Sequence, residues 1–470
     1  MTTTEIDLLT AGRGLVIAPA GCGKTQLIAD TLRRYEGKKP ILILTHTNAG
    51  VVALRNRMAK AGVKSSKYHI STIDGWAIKL ISTFPALSGH NPNIVTGLKP
   101  DYPAIRSAAR NLLKGGHLHD ILSANYAHLI VDECQDCSKL QLGIAYHAGE
   151  ALPTTLLGDE MQAIFDFGDD KLADWNTHTC QHFPLIGELE KPWRWINADS
   201  EELGKWLLDA RKKLQAGEGI DLRDKPVSVH WLKLEGKITD HEKLLKAGNI
   251  RAENNGGVLI IGNSKNPQSQ RSFASKIVGA ITVEAVDLKD MVNFAQTLDI
   301  KHASALHTVA LFAAELMTNV GPNELITRVN SLRKGTARKE ANEVENSAIK
   351  FLTDQTHANM RDFLVELQNL PGVKVYRPDV LRCCIRALNA CDASSTFYEA
   401  AVRMREQNRM QGRPLPKKAV GSTLLLKGLG AEVVVILDAD SMNAKNLYVA
   451  MTRGARKVVI CSNSHILGKA

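Results

Sequence analysis

The sequence predicts an α/β fold with two parallel-sheet halves, and three observations predict it. Short, wholly apolar runs recur along the chain, several end in glycine or acidic residues, and segments of helical apolar spacing lie between them. Strands buried on both faces read as continuous apolar runs, and such strands need helices on both sides. In chain order, Leu15 to Ala18 reads as a strand, Gln26 to Leu32 as a helix, and "APAGCGKT" as the loop joining them. His128 to Val131 reads as a second buried strand, with Asp132 and Glu133 at its C-terminal end. In "TTLLGDEMQAIFDF" a third apolar run closes on Gly158 and Asp159. A new strand-loop unit starts at "GGVLIIGNS" (256–264), "GSTLLLKGLGAEVVVILDAD" carries two apolar strands around "LKGLG", and "KVVICS" (457–462) reads as the final strand. A helical stretch fills about 302 to 370, with the charged run "SLRKGTARKEANEVE" inside it, a solvated helix face or a partner or DNA surface.

A chain of 470 residues, 44% hydrophobic and 23% charged, can hold two or three globular domains. The net charge of +10 favours a polyanionic partner such as nucleic acid, although chains without such a partner can be equally basic. No apolar run approaches the roughly 20 residues of a membrane helix, and "MTTTEIDLLTAGRG" has no secretory pattern. A cytoplasmic protein with no membrane partner is expected. The eight cysteines, mostly beside apolar or helical neighbours, read as reduced thiols.

The loop "APAGCGKT" has the chemistry of a phosphate cradle. Gly21 and Gly23 let backbone N–H groups turn inward around phosphate oxygens, and the helix N-terminus adds the positive end of its dipole. Lys24 reaches the β and γ phosphates, and Thr25 offers a hydroxyl to Mg²⁺. Such a loop needs carboxylates on a neighbouring strand. Asp132 is placed to hold Mg²⁺, and Glu133 to act as base or to polarise water. The same stretch, "VDECQDC", also allows a zinc or redox reading through Cys134 and Cys137, but it lacks a second ligand pair and a thioredoxin-like context. Gln162, beyond Asp159, is placed to sense the γ phosphate.

Taken together these motifs resemble the UvrD/Rep-like superfamily 1 helicases, over about residues 13–200 and 256–465. The family's phosphate loop appears as "APAGCGKT", its next elements as "THTN" and "STIDGWAIKLI", and its "DEFQD" box as "VDECQD". "GDEMQAIFDF" is similar to its DNA-coupling motif, "KPWRW" to its "NYR" element, "KGLG" to its "KGLE" element and "LYVAMTRGARKVVI" to its "VALTRA" box. Short UvrD-like chains of antiphage systems such as Gabija also look like this one, which raises antiviral defence as a setting.

The resemblance implies two RecA-like parallel-sheet lobes of the P-loop NTPase class, with reduced, mainly helical accessory insertions. It implies lobe 1 at 1–190 with a small insertion at about 82–127, a hinge and the start of lobe 2 at 191–280, a mainly helical insertion at 281–410, and the rest of lobe 2 at 411–470. ATP and Mg²⁺ are the implied cofactors, ATP being lined by Ala20, Gly21, Cys22, Gly23, Lys24, Thr25 and Gly428. Arg194 and Arg453 become the arginine fingers beside Asp132, Glu133 and Gln162. Thr47, Asn48 and Trp76 would touch single-stranded or tailed duplex DNA, and Phe165 and Phe167 would stack on bases, a contact worth about 1–3 kcal/mol per base. The basic segment "AVRMREQNRMQGRPLPKKAVGST" is either a phosphate-contacting surface or a soluble linker.

The chain also departs from the family's pattern. "TTTEIDLL" stands where an adenine-reading "LNxxQ" element is usual, Gly430 replaces a ribose-contacting glutamate that Glu432 could substitute, Gly168 replaces an arginine and Asp74 a histidine. These changes are expected to weaken DNA coupling more than hydrolysis. Three activities follow as expectations: an ATP-dependent DNA translocase or helicase running 3′ to 5′, a DNA-sensing ATPase that licenses a partner nuclease, or a P-loop ATPase or kinase not acting on nucleic acid.

Overall fold

The computed structural model describes residues 6–97, 100–165, 170–253, 256–392, 395–410 and 416–469. Six parallel strands make the first sheet: β1 (Arg13–Ile17), β2 (Ile41–Thr45), β3 (Tyr68–Thr72), β4 (Leu129–Asp132), β5 (Thr154–Gly158) and β6 (Leu185–Glu188). Their order is β3-β2-β4-β5-β1-β6. The central strands β2, β4 and β5 are buried at every position, as strands covered on both faces must be.

Side-chain alternation divides that sheet between two cores. Leu42, Leu44, Leu129, Val131 and Leu156 face one, with Ile73, Trp76, Ile105 and Leu112 from the covering helices. Ile41, Ile43, Ile130, Leu157 and Val16 face the other, with Ile28, Leu32, Leu54 and Met58. A period of two along each strand produces this split, so an apolar run with no visible alternation still sorts its residues onto two faces.

The remaining strands are β7 (Ile220–Asp221), β8 (Val229–Lys233), β9 (Val258–Ile261), β10 (Ile281–Thr282), β11 (Lys418–Gly421), β12 (Ala431–Ile436), β13 (Gly454–Ser462) and β14 (Ile466–Leu467). By contact density the chain forms two units, Met1–Gly236 with Lys427–Ala470, and Lys237–Leu426. In the first unit β12, β13 and β8 pair in parallel in that order, and β14 pairs antiparallel with β7. In the second unit β10, β11 and β9 pair in parallel. Parallel strands therefore recur in both units, and the fold is that of two RecA-like α/β lobes.

Among the described residues between β10 and β11 lie seven α-helices, from Lys289–Thr297 to Phe397–Met410, around a core that includes Met291, Phe312, Phe351, Phe363, Val380 and Cys384. Phe294 and Phe312 stack there at 3.9 Å between ring centroids. Arg377, only 1% exposed, bonds Glu284 at 2.8 and 2.9 Å and Asp290 at 2.6 Å, so its buried charge is matched by two acids. No helix among the described residues is long and apolar enough to cross a membrane.

Three sequence expectations are corrected. The carboxylate strand β4 is not the immediate neighbour of β1, because β5 lies between them. The run Leu424 to Leu426 is a turn and not a strand; the strand is Lys418–Gly421, and Ser422 anchors the turn through its carbonyl to Leu426 N and its hydroxyl to Leu425 N. Lastly, "KVVICS" is the end of the longer β13, and β14 follows it. The basic segment lies partly outside the described residues, and within them Arg405 and Arg409 pair with Glu406 on one helix.

Trp76 is 2% exposed and packs in the core beneath the first sheet. Trp76→Ala is expected to destabilise the chain by about 3–5 kcal/mol in urea denaturation. Unchanged stability with lost nucleic-acid affinity would contradict this placement.

Candidate nucleotide site

Parallel strands present all their C-terminal ends on one side of a sheet, which is where open α/β sheets take ligands. In the first sheet each of those ends carries a sequence motif. β1 leads into "APAGCGKT", β2 into "HTN", β3 into "IDGW", β4 into Glu133, β5 into Asp159 and β6 toward "KPWRW".

The phosphate-type loop is set by its glycines. Gly21 and Gly23 have φ of +75° and +91°, a region costly for other residues. A Cβ on Gly21 would also lie 2.6 Å from the Trp195 ring, and one on Gly23 would lie 2.9 Å from Trp193 Cδ1. Ala20 N donates to the Tyr448 hydroxyl at 3.1 Å, and the buried Cys22 thiol is pushed up to about 12 by burial. The helix Lys24–Arg34 begins directly from Gly23.

Lys24 Nζ lies 2.8 Å from Asp132 Oδ1 and 2.5 Å from Glu133 Oε1. Glu133 sits at φ +59°, a left-handed position uncommon for a side-chain-bearing residue. It accepts from Gln135 Nε2 at 2.6 Å. The two carboxylates titrate in opposite directions. Burial raises Asp132 against the pull of Lys24, whereas at Glu133 burial is outweighed by the Lys24 and Lys427 charges, which hold it at about 2. Glu133 is therefore an anion at neutral pH.

The third strand end is built around Asp159. Arg211 bonds it at 2.9 Å, and Gln162 Nε2 bonds it at 3.1 Å while reaching Ala18 O at 3.5 Å. The Gln162 amide is thus tied to the first residue of the glycine loop.

Arg194 also meets that loop: its backbone N donates to Gly21 O at 3.0 Å, and its guanidinium donates to Thr452 O at 2.6 Å. Trp195 Nε1 donates to Gly454 O at 2.9 Å. Arg453, 2% exposed, donates to Val449 O at 2.9 Å, to Leu429 O at 3.2 Å and to Thr452 Oγ1 at 2.9 Å. Burial and then the like charge of Arg194 pull Arg453 down to about 9, and burial also lowers Arg194. Among the described residues neither arginine forms an ion pair. Gly428, at φ +80°, is in the turn beside Lys427.

The expected nucleic-acid residues scatter more. Thr47 is exposed, and its hydroxyl caps the helix Asn48–Lys60 by accepting from Gly50 N at 3.0 Å. Asn48 is half-buried at the start of that helix. Phe165 is half-buried and meets the His46 ring edge-on at 5.0 Å. Phe167 lies outside the described residues, as does Gly168. Asp74 binds Arg106 at 2.7 and 2.8 Å and accepts from Gln141 at 3.0 Å, while Arg106 also holds Asp170 at 2.9 Å. Sequence reasoning missed Arg211, Tyr448 and the Lys427–Asp136 pair. Lone polar residues far apart in the chain give no spacing signal, so only the fold brings these groups together.

The residues fit a magnesium nucleotide. A glycine cradle opens a helix, a lysine stands at its mouth, and a hydroxyl residue and two carboxylates lie alongside. Among the described residues no group of three or more metal-ligating side chains occurs. Mg²⁺ bound with a nucleotide takes only one or two protein ligands and shares its other positions with phosphates and water.

The fold and site thus define a P-loop nucleotide hydrolase. Residues 4–168 match the family model described as an AAA domain, which supports the resemblance to UvrD/Rep-like superfamily 1 helicases over the first-sheet motifs. No curated protein matches the chain. Among solved structures, 97% of the chain aligns with arterivirus nonstructural protein 10, a helicase in complex with DNA, at 9% identity and a TM-score of 0.37. It spans 62% of that protein's length. It likewise aligns over 97% of its length, and 92% of the other chain, with the Pif1 helicase from Candida albicans, at 11% identity and a TM-score of 0.39. At these scores the fold rests on the strand order given above.

Cys134 and Cys137 are both buried, with thiols raised first by burial. They complete the core beside β4. Cys180 is exposed. A maleimide probe at neutral pH should label Cys180 in the native chain and reach Cys134 and Cys137 only on unfolding, as read by peptide mass spectrometry. Rapid native labelling of that pair, or stoichiometric bound zinc, would restore the redox or metal reading.

Proposed function

We propose that the chain is an ATP-dependent DNA translocase or helicase that acts on single-stranded or tailed DNA in the 3′ to 5′ sense. The observation that carries this reading is the pair Arg194 and Arg453, a half-buried and a buried guanidinium group with no acid partner among the described residues, the backbone of Arg194 being bonded to Gly21. A buried cation without a counter-charge is costly to keep, and a cluster of such cations is stabilised by an arriving polyanion. Phosphoryl transfer needs that arrangement, because charge spreads over the oxygens of the transferring group.

The roles then divide as follows. Gly21, Gly23 and Lys24 seat the phosphates, with Ala20, Cys22 and Gly428 completing the nucleotide's surroundings. Thr25 and Asp132 would hold Mg²⁺, which supplies charge neutralisation to the triphosphate. Glu133 orients the attacking water and receives its proton, and Gln162 marks the γ phosphate. Lys24 links two of these roles. When its ammonium group turns from Glu133 toward phosphate, Glu133 loses the strongest charge that depresses it and becomes a better base. Thr47, Asn48 and Phe165 lie at the ends of β2 and β5, where a nucleic-acid strand would cross the same sheet edge.

A second reading is favoured by the state of the other DNA groups. Trp76 belongs to the core and Asp74 is bound to Arg106 and Gln141, which leaves fewer groups to grip a strand. A DNA-sensing ATPase that unwinds little and acts through a partner nuclease has the same hydrolysis site and a smaller grip.

ATP turnover with and without oligo-dT is expected to rise by about tenfold or more on DNA addition and to be abolished in Lys24→Ala. Displacement of a strand from a 3′-tailed duplex distinguishes the helicase from the sensor. Turnover indifferent to DNA would contradict both and favour an ATPase or kinase with another substrate.

A further inference from the structure

The site described so far has two sides: groups that meet the nucleotide, and groups at the strand ends that would meet nucleic acid. Lys427 touches both. Its Nζ lies 2.5 Å from each Asp136 carboxylate oxygen and also donates to the backbone carbonyl of Gln162. The same ammonium group stands 5.0 Å from the centroid of the Phe165 ring. His46, from the "THTN" element, meets that ring edge-on at 5.0 Å, so Phe165 is held by His46 and Lys427 together.

Each partner of Lys427 is one step from the glycine loop or from Glu133. Asp136 closes the short turn begun by Glu133, its backbone N donating to Glu133 O at 3.0 Å. Gln135 ties the two acids together, donating to Glu133 at 2.6 Å and to Asp136 at 3.4 Å, and its own carbonyl accepts from Asp159 N at 3.2 Å. Gln162 connects Asp159 with the glycine loop at Ala18. A shift of the Glu133 turn or of Gln162 must therefore move the oxygens that fix the Lys427 ammonium, and with them the charge that faces Phe165.

A structural role alone does not account for this placement. Lys427 is only 8% exposed along its side chain, and burial disfavours its charge more than Asp136 restores it. An apolar side chain of similar length would fill the space without that penalty. A buried ion pair is best retained where its geometry carries information between two arrangements of its neighbours.

We propose that Lys427 is the positioning residue that couples nucleotide state to nucleic-acid grip, by joining Asp136 and Gln162 on the phosphate side to the ring of Phe165. The inference rests on the nucleic-acid-dependent ATPase reading above and names the contact through which that dependence passes. Lys427 touches neither phosphate nor base in this scheme. It sets where Phe165 stands when the γ phosphate is present.

The test compares the full chain with four variants: Lys427→Met, Lys427→Arg, Phe165→Leu, and Lys427→Met/Asp136→Asn, which removes both charges and leaves no unpaired buried acid. Steady-state ATP turnover is measured with and without oligo-dT, together with the oligo-dT affinity with and without a non-hydrolysable ATP analogue. In Lys427→Met, the double variant and Phe165→Leu, the ratio of DNA-stimulated to basal turnover is expected to fall by about tenfold. In the same variants the analogue ceases to change oligo-dT affinity, while the KM for ATP stays within a factor of about three. Lys427→Arg, which keeps the cation, is expected to retain most of the stimulation. The coupling is overturned if the double variant keeps the wild-type ratio, or if stimulated and basal turnover fall together with the ratio intact. It is also overturned if Phe165→Leu is stimulated like the wild type. A wild-type chain that oligo-dT does not stimulate removes the functional reading and the coupling together, whereas stimulation that survives in the variants removes the coupling alone.

Discussion

The structure depends on one constraint: charged groups must be gathered at the C-terminal edge of a parallel sheet without being left unmatched in a low-dielectric surround. Lys24 satisfies it by lying between Asp132 and Glu133 at 2.8 and 2.5 Å. Arg211 does the same for Asp159, as Arg106 does for Asp74 and Asp170. Each of these pairs can exist only because β1, β3, β4 and β5 end on the same side of the sheet. The buried apolar runs that make those strands therefore also place the charges. Against this pattern Arg194 and Arg453 stand out, because their guanidinium donors meet carbonyl and hydroxyl oxygens and no carboxylate.

How much of this was legible in the sequence follows from what kind of signal each feature leaves. The glycine loop is a local signal: Gly21, Gly23, Lys24 and Thr25 are close in the chain, and the positive φ values at both glycines are what the spacing calls for. Asp132 and Glu133 were equally readable, since a buried run ending in two acids has few other uses. The order of strands was not. That β5 separates β4 from β1 depends on how whole strands compete for neighbours, and no single run encodes it.

Aromatic and branched residues gave the weakest guidance. Trp76 in "STIDGWAIKLI" fits a DNA-contacting motif and a core helix equally well, and its 2% exposure places it in the core, where Ile73, Ala77 and Leu80 share its face. Leu424 to Leu426 had the composition of a strand but follow Gly421 and Ser422, and the hydrogen bonds of Ser422 fold the chain into a turn there. Long-range polar partners such as Arg211 with Asp159, or Lys427 with Asp136, leave no pattern in the sequence at all. They are the groups through which one strand end can sense another.

The central claim is that Glu133, held as an anion at the mouth of the glycine loop, handles the proton of the attacking water while Asp132 and Lys24 bind the phosphates and their ion. Single-turnover hydrolysis and equilibrium binding of a fluorescent ATP analogue with Mg²⁺, compared between the wild type and Glu133→Gln, test it most directly. The account predicts that Glu133→Gln binds the nucleotide with wild-type affinity or better while the hydrolysis step slows by about 10²-fold or more. Hydrolysis at the wild-type rate in that variant, or a loss of binding with the chemical step unchanged, would contradict it.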